Sequence, residues 1–421
     1  MVLDRWPEGL SRRADCRRWS LLADAKPIDQ SEEYNQSDDG PDPLRSRYET
    51  GAGRLSFSCD PSAITQAEIL WVAYDTPVDE NDQADVNFVV NRITAVFPYL
   101  RAGMLVLISS QLPAGTTKML EATYRNAHPE GVVSFAYSPE NLRLGKGIET
   151  FTRPDRLVVG VRSPADRERI ATFLQPITER IEWMSVESAE MTKHALNAFL
   201  ATSVVFANEV AVLCESVGAD AGEVERGLKS DARVGPKAYL RPGAAFAGGT
   251  LGRDLSFLIE RGLQERMTLP LLSGVRLSND WHQEWPRRRL LAVFGSLAAR
   301  TIAVLGLTYK PGTDTLRRSS AVELCRWLHE QGATAYAYDP VVKAIPRDLQ
   351  EYITLLPSVK TAIFGASAVL IATEWPEFRE IKAEDIVQWM SAPLVLDPGR
   401  FVETQLSQDP RIRYLTVGRS L

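Results

Sequence analysis

The chain has few of the residues that build metal centres or disulfide scaffolds. Its 421 residues include four cysteines and four histidines. Cys16, Cys59, Cys214 and Cys325 form no CxxC pair, and His128, His194, His282 and His329 are equally scattered. Zinc-ligand spacing and a disulfide framework are therefore not expected. Free thiols behind no recognisable secretory leader predict a reducing, cytoplasmic setting. No unbroken apolar run reaches about 18 residues, so no membrane span is expected. Basic charge is not in excess either: 48 Lys and Arg against 54 Asp and Glu give −6. That balance argues against a nucleic-acid surface. A GxGxxG turn is also missing; GAG at 51–53 and GKG at 145–147 lack a strand-turn-helix context.

The remaining composition, 44% apolar and 24% charged, is that of an ordinary globular chain. Its length suits about three domains. Residues 1–50 lack a periodic pattern, and SEEYNQSDDGPDPLR at 31–45 reads as a polar loop or tail. This first stretch is taken as irregular or truncated. From Arg54 onward, short apolar runs alternate with helix-length segments. Strands are predicted at 54–59, 69–74, 104–109, 132–137 and 156–161, with helices over 85–100 and 115–127. Alternation of this kind predicts βαβ units around a parallel sheet. Residues 187–217 contain no internal Gly or Pro and predict one helix of about 45 Å. A helix that long, apolar on several sides, joins domains or meets a second subunit. The βα pattern resumes with strands at 301–305, 334–338, 367–372 and 393–396. The expected fold is α/β: two Rossmann-like parallel-sheet domains, at 51–185 and 299–421, joined by a central helical region at 186–298.

Four segments together resemble the nucleotide-sugar dehydrogenase family, enzymes that oxidise UDP-glucose or UDP-N-acetylmannosamine at C6 with NAD. They are VAYDTPVDENDQADVNFV at 72–89, YSPENLRLGKGIETFTRPDRLVVG at 137–160, the stretch from AEMTKHALNAFLATSVVFANEVAVLCESVGAD at 189–220 to PGAAFAGGTLGRD at 242–254, and VLGLTYKPGTDTLRRSS at 304–320. AYDP at 337–340 and ATEWPEF at 372–378 add to the fourth. The resemblance covers roughly residues 53–400. It implies NAD as cofactor, a UDP-sugar as substrate, polysaccharide-precursor synthesis as the role, and a homodimer or higher homo-oligomer built on the long helix.

The family reaction is a four-electron oxidation of alcohol to acid through an aldehyde trapped by a thiol. It needs a base, positive charge for an oxyanion, a nucleophile and a carboxylate that manages water. Lys193 and Asn197 match the family's Lys and Asn, and their i, i+4 spacing puts them on one helix face. Asp254 matches the Asp beyond the nucleophile loop; it is either a base toward water or an N-terminal acid for a helix expected near 255. Glu140, in SPEN, matches a family Glu that acts on the substrate or its water. The nucleophile position holds Thr250 where the family has Cys. A thiol with a pKa near 8.5 is activated far more readily than a threonine hydroxyl.

For the cofactor, the resemblance implies Thr76, Pro77, Ser110, Gln111 and Arg253, with Gln111 where the family has Thr and Arg253 where it has Lys. Leu144 stands where many members have a second Glu, and Asp24 is the one candidate for an acid that holds the ribose. For the sugar nucleotide, it implies Tyr239, Arg241, Phe246 and Gly248 in one loop, Lys310 and Arg317 after a strand, and Arg400 in LDPGR. Surface charge around a βα turn is the plain alternative for Lys310 and Arg317. An alternative for the whole chain is a catalytically impaired member that serves as a sugar-nucleotide-binding or assembly subunit, given Thr250 and the missing glycine turn.

Overall fold

The computed structural model describes residues 19–22, 55–58, 60–77, 84–140, 142, 147–247 and 249–420. Asp24, Leu144, Gly248 and most of segment 1–50 lie outside the described residues. The chain divides into two compact units, Met1–Lys193 and His194–Leu421. The division falls within the long helix, and the helical stretch before residue 299 shares a unit with the second α/β stretch.

In the first unit, strands β1 (Trp19–Leu22) and β2 (Leu55–Ser58) pair in parallel. A separate sheet has the order β3-β4-β5-β6-β7. Along the chain it runs β3 (Ile69–Val72), α1 (Val86–Ala95), β4 (Leu105–Ile108), α2 (Thr116–Ala127), β5 (Ser134–Tyr137), α3 (Gly147–Thr152), β6 (Leu157–Gly160), α4 (Pro164–Leu174) and β7 (Ile181–Met184). β4 reads LVLI because both its faces are covered. Val106 and Ile108 pack with Val89, Ile93 and Leu120, while Leu105 and Leu107 pack on the other side with Ile170 and Leu174. α1 starts where the Asp85 carboxylate accepts the Phe88 amide at 2.9 Å, an N-cap.

One pairing departs from the expected parallel sheet: β5 and β6 meet antiparallel, at Tyr137 and Gly160. Among the described residues the connection between them contains one helix, the six-residue α3, short of the crossover helix that usually returns a chain in parallel. β3 pairs only with β4, so among the described residues it is an edge strand. No described strand is followed by a GxGxxG turn.

Helix α5 (Val186–Val217) spans 32 residues, or about 48 Å. Among the described residues it alone is long and apolar enough to cross a membrane, by length and composition. A scan for unbroken apolar runs overlooks it because polar residues interrupt the run. Among them Glu190, Lys193, His194, Asn197 and Asn208 are buried and bond within the protein.

The second unit adds α6 (Ala221–Ser230), α7 (Thr250–Gln264), α8 (Pro270–Gln283) and α9 (Trp285–Phe294). A six-stranded, all-parallel sheet follows, ordered β10-β9-β8-β11-β12-β13. Its strands are β8 (Thr301–Leu305), β9 (Thr334–Tyr338), β10 (Thr354–Leu355), β11 (Ala368–Ile371), β12 (Leu394–Leu396) and β13 (Arg413–Leu415). In chain order this is 3-2-1-4-5-6, the doubly wound arrangement. Its ligand crevice is expected beyond the carboxyl ends of β8 and β11, where the strand order reverses. α10 (Ser320–Glu330) packs Val322, Cys325 and Leu328 onto Ile302 and Val304 of β8.

Candidate active site

In the first unit the expected cofactor residues gather at the carboxyl ends of β3 and β4. Thr76 is buried, and its hydroxyl donates to the Gln111 carbonyl at 2.6 Å. The Pro77 carbonyl accepts the Asp85 amide at 2.8 Å. Ser110 and Gln111 are buried beside them. The Ser110 hydroxyl has no hydrogen-bond partner among the described residues. A buried orphan hydroxyl is uncommon, and at a strand's carboxyl end it suits a polar ligand such as a dinucleotide. Glycine-turn amides for a pyrophosphate are not part of this wall. The start of α2 does not replace them, because the buried Glu190 carboxylate takes the Gly115 amide at 2.6 Å and the Thr117 amide at 2.9 Å.

Glu140 and Lys193 do come together, through the main chain. The Lys193 ammonium donates to the Glu140 carbonyl at 2.7 Å, while the Glu140 carboxylate caps the Leu142 amide at 2.6 Å. Lys193 is buried, so its side chain is aimed rather than solvated.

In the second unit, α5 presents His194 and Asn197 to α7. The Asp254 carboxylate is wholly buried. His194 Nδ1 lies 2.6 Å from one of its oxygens, and the Asn197 amide donates to the other. α7 begins at Thr250 with Gly249 as its N-cap. Asp254 is therefore in the second turn, which corrects the expectation of an N-terminal acid for a helix near 255. Thr250 is exposed on the first turn, one turn before Asp254, and Arg253 is half-buried between them. Neither described cysteine takes the nucleophile's place. Cys214 is buried, and burial pushes the Cys325 thiol up to about 12.

The loop before α7 is held by side chains that the sequence did not single out. The Asn279 side chain bonds both the amide and the carbonyl of Phe246, at 2.9 Å each. Asn208 accepts the Gly243 amide at 2.9 Å, and His282 Nε2 meets the Gly243 carbonyl at 2.8 Å. Burial lowers the His282 pKa. The Phe246 ring packs with Ala198, Val205, Leu255 and Val275, so it anchors the loop. Tyr239 is exposed. Arg241 bonds the Gly399 carbonyl and sits 3.6 Å from Glu374. Behind the loop, Gly243, His282, Ser320 and Pro398 line a cavity of about 70 Å³, well below the several hundred Å³ of a ligand pocket.

The loop after β8 is fixed at its root. Gly306 has φ +90°, and a Cβ there would stand 2.4 Å from Thr373, so only glycine fits. One Asp339 oxygen accepts the Leu307 amide at 2.7 Å, the Thr308 amide at 3.1 Å and Trp375 Nε1 at 3.1 Å. Lys310 lies 5.4 Å from the Tyr309 ring centre, and Arg317 is exposed. Arg318, not singled out from the sequence, has φ +62°. Its guanidinium would stand 3.5 Å from a Cβ on Gly249, at the residue before Thr250. Arg400 pairs with Asp220 at 2.8 Å. A charge motif alone does not reveal such an internal partner.

The family models agree with this layout. The NAD-binding domain of the UDP-glucose/GDP-mannose dehydrogenase family matches residues 40–178, its central domain 187–281 and its UDP-binding domain 303–404. UDP-glucose 6-dehydrogenase TuaD of Bacillus subtilis is 32% identical over 372 residues, covering 87% of this chain and 80% of its own. UDP-glucose 6-dehydrogenase of Pseudomonas aeruginosa is 32% identical over 378 residues, covering 85% and 83%. A solved UDP-glucose dehydrogenase from Pyrobaculum islandicum superposes with a TM-score of 0.77 at 28% identity, covering 90% of this chain and 85% of its own. Motif order, strand order and these likenesses agree: the chain belongs to the UDP-glucose/GDP-mannose dehydrogenase family, whose cofactor is NAD.

Proposed function

We propose that the chain oxidises the C6 hydroxymethyl group of a UDP-sugar, with UDP-glucose the first candidate and a UDP-N-acetylhexosamine the second. The observation that carries this reading is the buried Asp254 carboxylate bonded to Asn197, one helical turn after Lys193 on α5. NAD supplies the hydride acceptor. Thr76, Ser110 and Gln111 would line its place in the first unit. The Lys193 ammonium and Asn197 amide are suited to stabilise an alkoxide as the hydroxyl proton leaves. Asp254 would keep the Asn197 amide oriented. Lys310, Arg317 and Arg318 offer fixed positive charge for a diphosphate.

Incubation with NAD and a panel of UDP-hexoses tests the proposal, with NADH formation as the readout. NADH with UDP-glucose is expected, and a flat trace for every sugar ends the proposal. The second reading, a binding or assembly subunit, is favoured by one feature: the threonine at the exposed nucleophile position. Calorimetry showing heat with UDP-sugar and none with NAD would support it. For the assembly we propose a homodimer through α5. Phe199, Phe206 and Leu213, seven residues apart, are 67%, 47% and 65% exposed. Large apolar side chains repeated at that interval suit a second helix.

A further inference from the structure

We propose that His194 is a positioning residue of this site, one that fixes the Asp254 carboxylate and, through it, the Asn197 amide. The inference rests on the dehydrogenase reading above and assigns a role to a residue for which the expected chemistry gave none. His194 and Asn197 are three apart on α5, so they share a face. Each reaches a different oxygen of the same carboxylate, His194 through Nδ1 at 2.6 Å and Asn197 through its side-chain amide. The ring is 1% exposed and the carboxylate 0%. A carboxylate cut off from water needs donors on its oxygens, and these two provide one on each side. The close approach to a carboxylate assigns the ring proton to Nδ1.

The imidazole is held in turn. Phe257, one turn beyond Asp254 on α7, meets it edge-on at 5.4 Å with an interplanar angle of 81°. Asp254 and Phe257 thus grip the ring from one helix, which fixes its rotation. Without the histidine, one carboxylate oxygen loses this donor and the Asn197 amide loses a rigid partner. An amide that must meet a developing alkoxide depends on such support.

The test compares wild type with His194→Leu, which keeps bulk without a donor, and His194→Asn, whose amide N–H stands near the place of Nδ1–H. Asp254→Asn and the double variant with His194→Leu complete a cycle. Expected results are a fall in kcat of about tenfold to a hundredfold for His194→Leu, little change in KM for the UDP-sugar, and recovery of most of the rate in His194→Asn. Adding His194→Leu to Asp254→Asn should cost less than about twofold more, since both act on one contact. A His194→Leu enzyme with wild-type kcat overturns the proposal while leaving the dehydrogenase reading intact. Proton NMR gives an activity-independent check. A far-downfield Nδ1–H resonance, lost in both His194→Leu and Asp254→Asn, supports the pairing, and its absence from wild type overturns it. If the resonance is present but no UDP-sugar yields NADH, the bond is part of the core alone and the positioning role falls with the parent reading.

Discussion

On the proposed reaction, the hydroxyl at position 250 is expected to decide how far the chemistry runs. At neutral pH a threonine hydroxyl at position 250 stays protonated, whereas a thiol there is within reach of ionisation. Hydride loss from the alcohol does not require the thiol, but covalent trapping of the aldehyde does. Wild type is therefore expected to release aldehyde with about one NADH per sugar. Thr250→Cys should shift the product toward the acid and the ratio toward about two. NADH stoichiometry alongside product mass spectrometry measures this. A Cys variant that still stops at the aldehyde would mean the loop does not present residue 250 to the substrate. Lys193, Asn197 and Asp254 could be singled out as candidates in the sequence because motif order and i, i+4 spacing survive in a linear text. His194 could not, since its meaning comes from a carboxylate 60 residues later. The Arg400 contact to Asp220 was not legible for the same reason, the two being 180 residues apart.

Two elements are fastened by carboxylates whose loss has distinct signatures. Glu190 ties α5 to the first turn of α2. Glu190→Ala would leave two amides without that acceptor, at a cost of about 2–4 kcal/mol. Thermal denaturation should show a lower midpoint, and Glu190→Gln should recover part of it. Asp220 caps α6 and draws in Arg400 and Arg419. Burial by itself would raise its pKa, but hydrogen bonds from Arg419, Arg400 and the Gly222 amide outweigh it and bring the group to about 2. Its folded pKa lies below the unfolded value near 3.9, so the stabilisation is complete above about pH 4 and lost as pH falls through about 2. Discounted for solvent screening at a partly exposed cluster, its size is about 1 kcal/mol. Asp220→Asn should flatten that part of the acid-unfolding curve, as followed by denaturant midpoints across the same window. Strands β8 and β9 were read to the residue because they are short apolar runs between clear breaks. β7, β10 and β13 were missed because IEWM is only partly buried and TL and RYL are too short to show a period.

The two units preserve their pattern unequally, and this shapes the expected behaviour of the whole molecule. The second has a complete six-strand doubly wound sheet, whereas the first has β3 as a described edge and no glycine turn. The fold class was legible because alternating strands and helices leave few topologies. The antiparallel β5–β6 contact was not, because nothing in the apolar period records strand direction. Self-association should depend on the apolar repeat along α5. Phe206→Arg is expected to shift a sedimenting dimer to monomer, and an unchanged sedimentation coefficient would remove α5 from the interface.

Glu190, seated at the head of α2, also stoppers the amide crown that doubly wound sheets commonly offer to free oxyanions. A tethered carboxylate outcompetes a dissolved one through its effective concentration. Inorganic phosphate or sulfate should therefore leave that helix start alone. Any inhibition by such salts would arise at the basic loop beyond β8, where a sugar diphosphate relieves it by competition.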